Sequence, residues 1–171
     1  NNNRHGLMNF FIKVLIFKFI ILLLVFQTTG ARPQSYIKDV TCLVEALYFE
    51  SRGESFSGQL AVATVILNRV NHPRFPNNIC SVVHEGKYWE GHPVKYRCSF
   101  SYYCDGKPEK MHDYDALASS EDVAFFVMQG GRLEGLSTSL HYHATYVNPT
   151  WNKDFEKLLQ IDNHIFYGEK K

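Results

Sequence analysis

Hydrophobic positions recur at helical spacing twice between residues 40 and 70, with a polar break between the two runs. Val40, Leu43, Val44, Leu47 and Tyr48 fall three or four residues apart, which predicts a helix with one buried face. The polar stretch "RPQSYIKD" ahead of it reads as extended. Gly53 is a breaker and Ser51 and Ser55 favour turns, so this helix is expected to end near Glu50. Ser57 reads as the N-cap of a second helix, in which Leu60, Val62, Ala63, Val65, Ile66, Leu67 and Val70 form a broad apolar face suited to the centre of a fold.

Pro73 and Pro76 mark "NHPRFPNNIC" as a loop, and "SVVHEG" reads as a short helix or turn. From Lys87 to Lys110 helical periodicity is lost among Gly, Pro, Tyr, Cys and Asp, which predicts loops with a small hairpin, the place for substrate-contacting segments. "YDALASSEDVAFFVMQGG" predicts a further helix closed by Gly130 and Gly131. "SLHYHATYV" alternates like a short strand ended by Pro149, and the tail "KDFEKLLQIDNHIFYGEKK" reads as one short helix followed by a strand-like "HIFYG". No internal repeat or low-complexity linker interrupts the chain after Ala31, so residues 32–171 are expected to form one mostly helical α+β domain.

The start of the chain has another pattern. Lys13 and Lys18 precede the apolar run Phe19 to Phe26, and small residues follow at Thr29 and Ala31; Met8 reads as the start of this segment. Residues 1–31 therefore read as a secretory signal cleaved after Ala31 or, with Phe10 to Phe26 near the lower limit of about 17 residues for a spanning helix, as an N-terminal membrane anchor. Both imply export, to the periplasm or the cell exterior. The even set Cys42, Cys80, Cys98 and Cys104 agrees, because exported domains favour disulfides, although four cysteines allow three pairings and their spacing does not choose among them.

Composition narrows the class. With 171 residues, 45% hydrophobic and 20% charged, the chain is that of an ordinary globular domain, and a net charge of +1 without a Lys/Arg run gives no sign of a nucleic-acid partner. The aromatic content of 15% is enough to supply both a core and surfaces that stack on sugar rings.

Candidate chemistry gathers at "YFESRGES". A carboxylate at the end of a helix faces the negative pole of the macrodipole, and apolar neighbours such as Tyr48, Phe49 and Phe56 would raise its pKa further. Glu50 is thus placed to keep a proton near neutral pH, as a general acid must. Glu54 lies past the turn as a second carboxylate, and Arg52 offers a cation to orient a carboxylate or a sugar. Read without further information, the same residues also make an ordinary solvated turn with a weak surface ion pair.

The blocks "YFESRGESFSGQLAVATVILNRV", "HPRFPNNICSVV", "CSFSYYCDG", "HYHATYVNPTW" and "HIFYG" occur in this order from about Thr41 to Gly168. Together they resemble the SleB/CwlJ-type cell-wall hydrolases, the spore-cortex-lytic enzyme family, in its secreted, cysteine-containing branch. The resemblance implies a lysozyme-like single catalytic domain that cleaves peptidoglycan glycan strands between N-acetylmuramic acid and N-acetylglucosamine as a lytic transglycosylase, with Glu50 as general acid/base. No cofactor and a monomeric state are expected. A hydrolase would instead want a second carboxylate about 5 to 9.5 Å away, for which Glu54 and Asp105 are the candidates. Gln59 and Asn68 match family positions and are expected to hold the turn or the Glu50 carboxyl. Phe100, Ser101 and Asp105 are expected to line the sugar groove, Tyr142 and His143 to face it, and Trp151 to act as a stacking platform. The sequence departs from many relatives at Ser51 and Ser55, where Ala and Pro are common.

Two other readings stay open. His141 and His143 share one face of a strand, which invites a zinc amidase cutting the muramoyl-alanine bond, although no H-E-x-x-H or similar helical arrangement accompanies them. A non-catalytic peptidoglycan-binding module is the other; its signature would be the loss of an acid at position 50, and Glu50 is present.

Overall fold

In the computed structural model, which describes residues 33–170, helix α1 spans Gln34–Ser51. It begins earlier than the sequence predicts. The stretch expected to be extended is helical from Gln34, because Pro33 suits a helix entrance and neither Gly nor Pro occurs between Gln34 and Ser51. The buried face comprises Cys42, Leu43, Val44, Ala46, Leu47 and Tyr48. Gly53 ends the run with φ +87°, a conformation that costs a side-chain-bearing residue energy, and the Glu54 amide closes the turn on the Ser51 carbonyl at 3.0 Å. The expected signal or anchor at residues 1–31 lies outside the described residues.

Helix α2, Phe56–Val70, runs through the core, with Val62, Ala63, Val65 and Ile66 fully buried. Its N-cap is Ser55 rather than Ser57: Ser55 is extended, and its Oγ accepts the Gly58 amide at 3.2 Å. What fixes that choice is remote in sequence. Asp162 Oδ2 accepts both the Ser55 amide (2.8 Å) and the Ser55 hydroxyl (2.6 Å), clamping the entrance of the helix to a distant turn. At the other end, Asn68 Nδ2 donates to the carbonyls of Leu136 (2.7 Å) and Ser139 (2.9 Å), so it ties α2 to the strand that follows.

Helix α3, Ile79–Val83, is capped by Asn78 and joined to α1 by the Cys42–Cys80 disulfide; Cys98–Cys104 is the second bridge. Helix α4, Tyr114–Met128, starts at Asp113, whose Oδ1 accepts the Ala116 amide at 3.1 Å. It ends as expected at the glycines: Gly130 has φ +100°, and the Gly130 and Gly131 amides return to the carbonyls of Val127 and Phe126.

Strands β1, Gly86–Trp89, and β2, His92–Cys98, form the expected small hairpin. A second antiparallel sheet has the order β3-β5-β4, from Ser139–Ala144, His164–Glu169 and Phe155–Ile161. Strand β4 corrects the expectation of a helix at "KDFEKLLQ". Its register against β5 shifts between Lys157 and Leu159, so the half-buried positions are Phe155, Leu158 and Ile161. The irregularity replaces strand alternation with a three-residue spacing that imitates a helix. The result is a mostly helical α+β domain with two small antiparallel sheets, in which α2 is packed by α1, α3 and α4 and by the β3 edge.

Candidate active site

Glu50 is the penultimate residue of α1, so its carboxyl sits at the negative end of the helix dipole. It opens onto a cavity of about 630 Å³ bounded by the end of α1, the loop after β2 and the strands β3 and β5. Across the cavity, Tyr142 on β3 donates its hydroxyl proton to Glu50 Oε2 at 3.0 Å. Burial pushes the Glu50 carboxyl above its ordinary range; the Tyr142 hydrogen bond and the Arg69 charge pull the other way and are outweighed. Burial beside Glu50 also drives the Tyr142 phenol far upward, so it remains protonated and remains a donor.

Arg69 stands near the end of α2 and is almost completely buried. Its Nε donates to the Leu140 carbonyl at 2.9 Å, and its guanidinium lies between the rings of Phe75 and Phe100, 5.3 Å from each centroid. Such a cation lowers the cost of forming a carboxylate nearby. Below the acid, Phe49 stacks on Tyr102 at 4.8 Å, and the Tyr102 hydroxyl donates to Glu45 Oε1 at 3.1 Å, which fixes the three-ten turn Ser101–Cys104 against α1. The site therefore holds one carboxyl kept reluctant to ionise, with a donor and a cation ready to receive its charge once the proton has gone. That is the arrangement of a general acid that must then act as a base.

Of the residues singled out in the sequence, Glu50, Phe100, Ser101, Asp105, Tyr142 and His143 all line this cavity. His143 Nδ1 faces the Ala144 carbonyl at 2.9 Å, so that nitrogen carries the proton and Nε2 accepts from the Tyr167 hydroxyl at 2.9 Å. Asp105 Oδ1 accepts the Lys107 amide at 2.7 Å, which organises the cavity rim.

Four expected site residues lie outside the cavity, among them Asn68, which is tied to the Leu136 and Ser139 carbonyls and not to the turn or to Glu50. Glu54 is turned toward the β4–β5 connection, where its oxygens accept the Asn163 amide and Nδ2, both at 3.1 Å, so it clasps a turn and does not line the cavity. Gln59 is buried and holds the turn between α1 and α2, one of the two roles expected of it: its Nε2 donates to the Ser119 hydroxyl at 2.8 Å and to the Glu54 carbonyl at 3.4 Å. Trp151 packs edge-on against Tyr167, His143 and Phe155 on the sheet instead of facing the cavity. The neighbours expected to shield Glu50 also sort differently. Phe49 lines the cavity, whereas Phe56 packs on Phe126, and the Tyr48 hydroxyl accepts Arg52 Nη1 at 3.2 Å and the Asp113 amide at 3.1 Å.

The histidine pair does not form a metal centre with its surroundings. His141 packs on Phe155 at 4.2 Å and its pKa falls to about 4 through burial, and among the described residues no three His, Cys, Asp or Glu side chains gather to hold an ion.

Arg69, Tyr102 and His164 were missed. The signal for Arg69 was present, since a lone arginine ends the apolar face of α2 at "LNRV" and an arginine so placed must find buried partners. Tyr102 and His164 carried none, because their place at the cavity depends on how the loop and sheet fold back.

A family model described as "Cell Wall Hydrolase" matches residues 53–167, beginning three residues after Glu50. A spore cortex-lytic enzyme of Bacillus subtilis (strain 168) is 51% identical over 47 residues, covering 28% of this chain and 15% of that protein. Its counterpart in Oceanobacillus iheyensis is 46% identical over 54 residues, covering 31% and 20%. The matched stretch is thus about a fifth or less of either relative's length. Among solved structures, the catalytic domain of the germination-specific lytic transglycosylase SleB from Bacillus anthracis superposes with a TM-score of 0.59 at 26% identity, over 82% of this chain and 99% of that one. The catalytic domain of the Bacillus cereus SleB protein gives 0.55 at 27% identity, over 81% and 98%.

Proposed function

The chain belongs to the cell wall hydrolase family, and from that premise we propose that residues 32–171 are a catalytic domain cleaving the glycan strands of peptidoglycan between N-acetylmuramic acid and N-acetylglucosamine. The observation that carries this reading is the contact of Tyr142 with a desolvated Glu50 at the floor of the cavity. The Bacillus anthracis structural neighbour is a germination-specific lytic transglycosylase, which supports the same chemistry here.

The proposed reaction uses one carboxyl twice. Glu50 gives its proton to the glycosidic oxygen as the C1–O bond breaks, and the resulting carboxylate is stabilised by the Tyr142 donor and the Arg69 charge. The 6-hydroxyl of the muramic acid then attacks C1, and its proton passes to Glu50. The product is a 1,6-anhydro end, water is not consumed, and the acid is restored. Glu54 supports this route over a two-carboxylate hydrolysis by its commitment to Asn163. The substrate-facing residues in this reading are Phe100, Ser101, Asp105, Tyr142 and His143, with no cofactor, and the protein acts as a monomer.

Export accords with the two disulfides, which persist in oxidising compartments. We place the protein in the periplasm or outside the cell, delivered by residues 1–31 as a signal or held by them as an anchor; among the described residues no helix is long and apolar enough to cross a membrane.

The test is mass spectrometry of muropeptides released from purified sacculi by the parent and by Glu50→Gln. Anhydro-muramic ends from the parent and none from the variant are expected. Release of free amines without glycan cleavage would convert the assignment to an amidase, and equal lysis by both proteins would remove Glu50 from the chemistry.

A further inference from the structure

The β1–β2 hairpin is irregular at one place. From Tyr88 to Gly86 the chain takes two steps along β1, while the paired positions on β2, Pro93 to Cys98, are five steps apart. The surplus forms a wide bulge, and within it Tyr96 has φ +59°, an unfavourable conformation for a non-glycine residue. Bulges of this kind re-aim side chains. Here the bulge carries Lys95, Tyr96 and Arg97; Tyr96 is 69% exposed, and Lys95 Nζ lies 4.9 Å from its ring centroid. No packing requirement explains an aromatic side chain turned outward between two cations at a strained position.

Its location points to a use. Lys95 lies along Gly106, where a Cβ would come within 3.2 Å of Lys95 Cε, and the flanking residues Asp105 and Lys107 line the cavity. The Cys98–Cys104 disulfide links the end of β2 to this same rim. At the hairpin tip, Trp89 is 72% exposed. Hairpin residues 86–98 carry Lys87, Lys95 and Arg97 against the single acid Glu90, so this arm is cationic beside a cavity whose own charges are mixed.

We propose that the Lys95–Tyr96–Arg97 bulge is a second binding site, which takes the carboxylate-bearing peptides of the polymer whose glycan occupies the cavity. The inference rests on the function proposed above and adds to it a class of ligand outside the cavity. Lys95 and Arg97 pair with carboxylates, and the Tyr96 ring covers the apolar part of the peptide or the sugar that bears it. The site supplies retention on an insoluble polyanion and takes no part in bond cleavage.

Co-sedimentation separates this from the cavity chemistry. The full chain carrying Glu50→Gln, to prevent digestion, is pelleted with intact sacculi and with glycan strands stripped of peptides, alone and combined with Lys95→Gln/Tyr96→Ser/Arg97→Gln. The bulge variant is expected to bind intact sacculi about tenfold more weakly and to lose salt sensitivity, while binding stripped strands as its background does. Equal binding of both proteins to intact sacculi, or an equal loss on both substrates, overturns the proposal. Failure of the Glu50→Gln background to bind either substrate would instead strike at the function itself. A second variant, Tyr96→Gly, relieves the backbone strain while removing the ring, so weakened binding with an unchanged or higher melting temperature assigns the effect to contact and not to misfolding.

Discussion

Tyr142 and Glu50 stand 92 residues apart in the chain and 3.0 Å apart in the fold, with the phenol donating to the carboxyl. This bond favours the ionised acid against the burial that opposes it. Removing it in Tyr142→Phe should raise the Glu50 pKa further. The protonated form then survives to higher pH, so the alkaline limb of the kcat profile should move upward. Meanwhile the departing proton leaves a carboxylate with one fewer donor, and kcat at the optimum should fall about 10- to 100-fold. A pH–rate profile of sacculus cleavage measures both effects, and an unshifted alkaline limb would detach Tyr142 from the acid.

Glu50→Gln should separate stability from activity. A carboxyl whose folded pKa lies above its unfolded one favours the native state fully only at pH below the unfolded value, and that advantage is lost as pH rises through the folded value. At neutral pH the buried acid therefore costs stability, and the amide, which still accepts from Tyr142, removes the cost. The variant should melt above the parent at pH 7 and converge with it at acid pH, while cleavage falls about 10²- to 10⁴-fold. Thermal melts across pH would reveal the convergence.

His141 gives the opposite acid response. Its pKa is lowered from 6.5 to about 4, so between those values the unfolded chain binds a proton that the native state refuses. Stability should fall as pH drops through that window, by about 1–3 kcal/mol allowing for solvent screening at a partly open ring. In His141→Gln this part of the decline should disappear from a denaturant titration repeated at several pH values.

The two disulfides should fail differently. Cys42–Cys80 spans 38 residues and joins two core helices, so Cys42→Ser/Cys80→Ser should cost about 2–5 kcal/mol. Cys98–Cys104 spans 6 and encloses Phe100, Ser101 and Tyr102 at the cavity wall. Its removal should lower kcat/KM more than the melting temperature, because a short loop adds less chain entropy when released yet carries groups that must be held in place. Paired melting and cleavage data on both double variants test the contrast.

The first two helices and the acid at their junction were legible because their information is local: periodic apolar positions, a glycine that needs positive φ, and a carboxylate at a helix end. The cap at Ser55 was not, since Asp162, on a turn more than a hundred residues away, decides it. Nor was β4, whose bulge wrote a helical spacing into a strand. Within the site, Phe100, Ser101 and Asp105 came from the "CSFSYYCDG" block of the family resemblance, and all three line the cavity. Trp151 was misplaced because an aromatic residue beside a histidine strand serves a sheet as readily as a sugar, and only the tertiary fold tells which. Arg69 was overlooked for the converse reason, as a charge hidden at the end of an apolar helix.

The distinction between one-carboxylate and two-carboxylate chemistry rests on Glu54 and on the two acids besides Glu50 that line the cavity, Asp105 and Glu109. Glu54→Gln removes the charge from the clasp on Asn163, where a neutral amide offers only one accepting oxygen for two donors. It should lower stability by about 1 kcal/mol and leave kcat within a few-fold. Asp105 is a stronger rival than Glu54, since it does line the cavity, as does Glu109, to which the same Gln-for-Glu test applies. Asp105→Asn keeps an oxygen for the Lys107 amide and removes the base together with a 3.7 Å ion pair to the exposed Lys107 Nζ, which contributes little. If water were the nucleophile and Asp105 its activator, that change should cost about 10²- to 10⁴-fold. In an intramolecular attack by the muramic 6-hydroxyl, the proton returns to Glu50 and Asp105 has none to take. The expected outcome is therefore cleavage within a few-fold of the parent and products still ending in anhydro-muramic acid, whereas reducing ends that vanish with Asp105→Asn would make the enzyme a hydrolase.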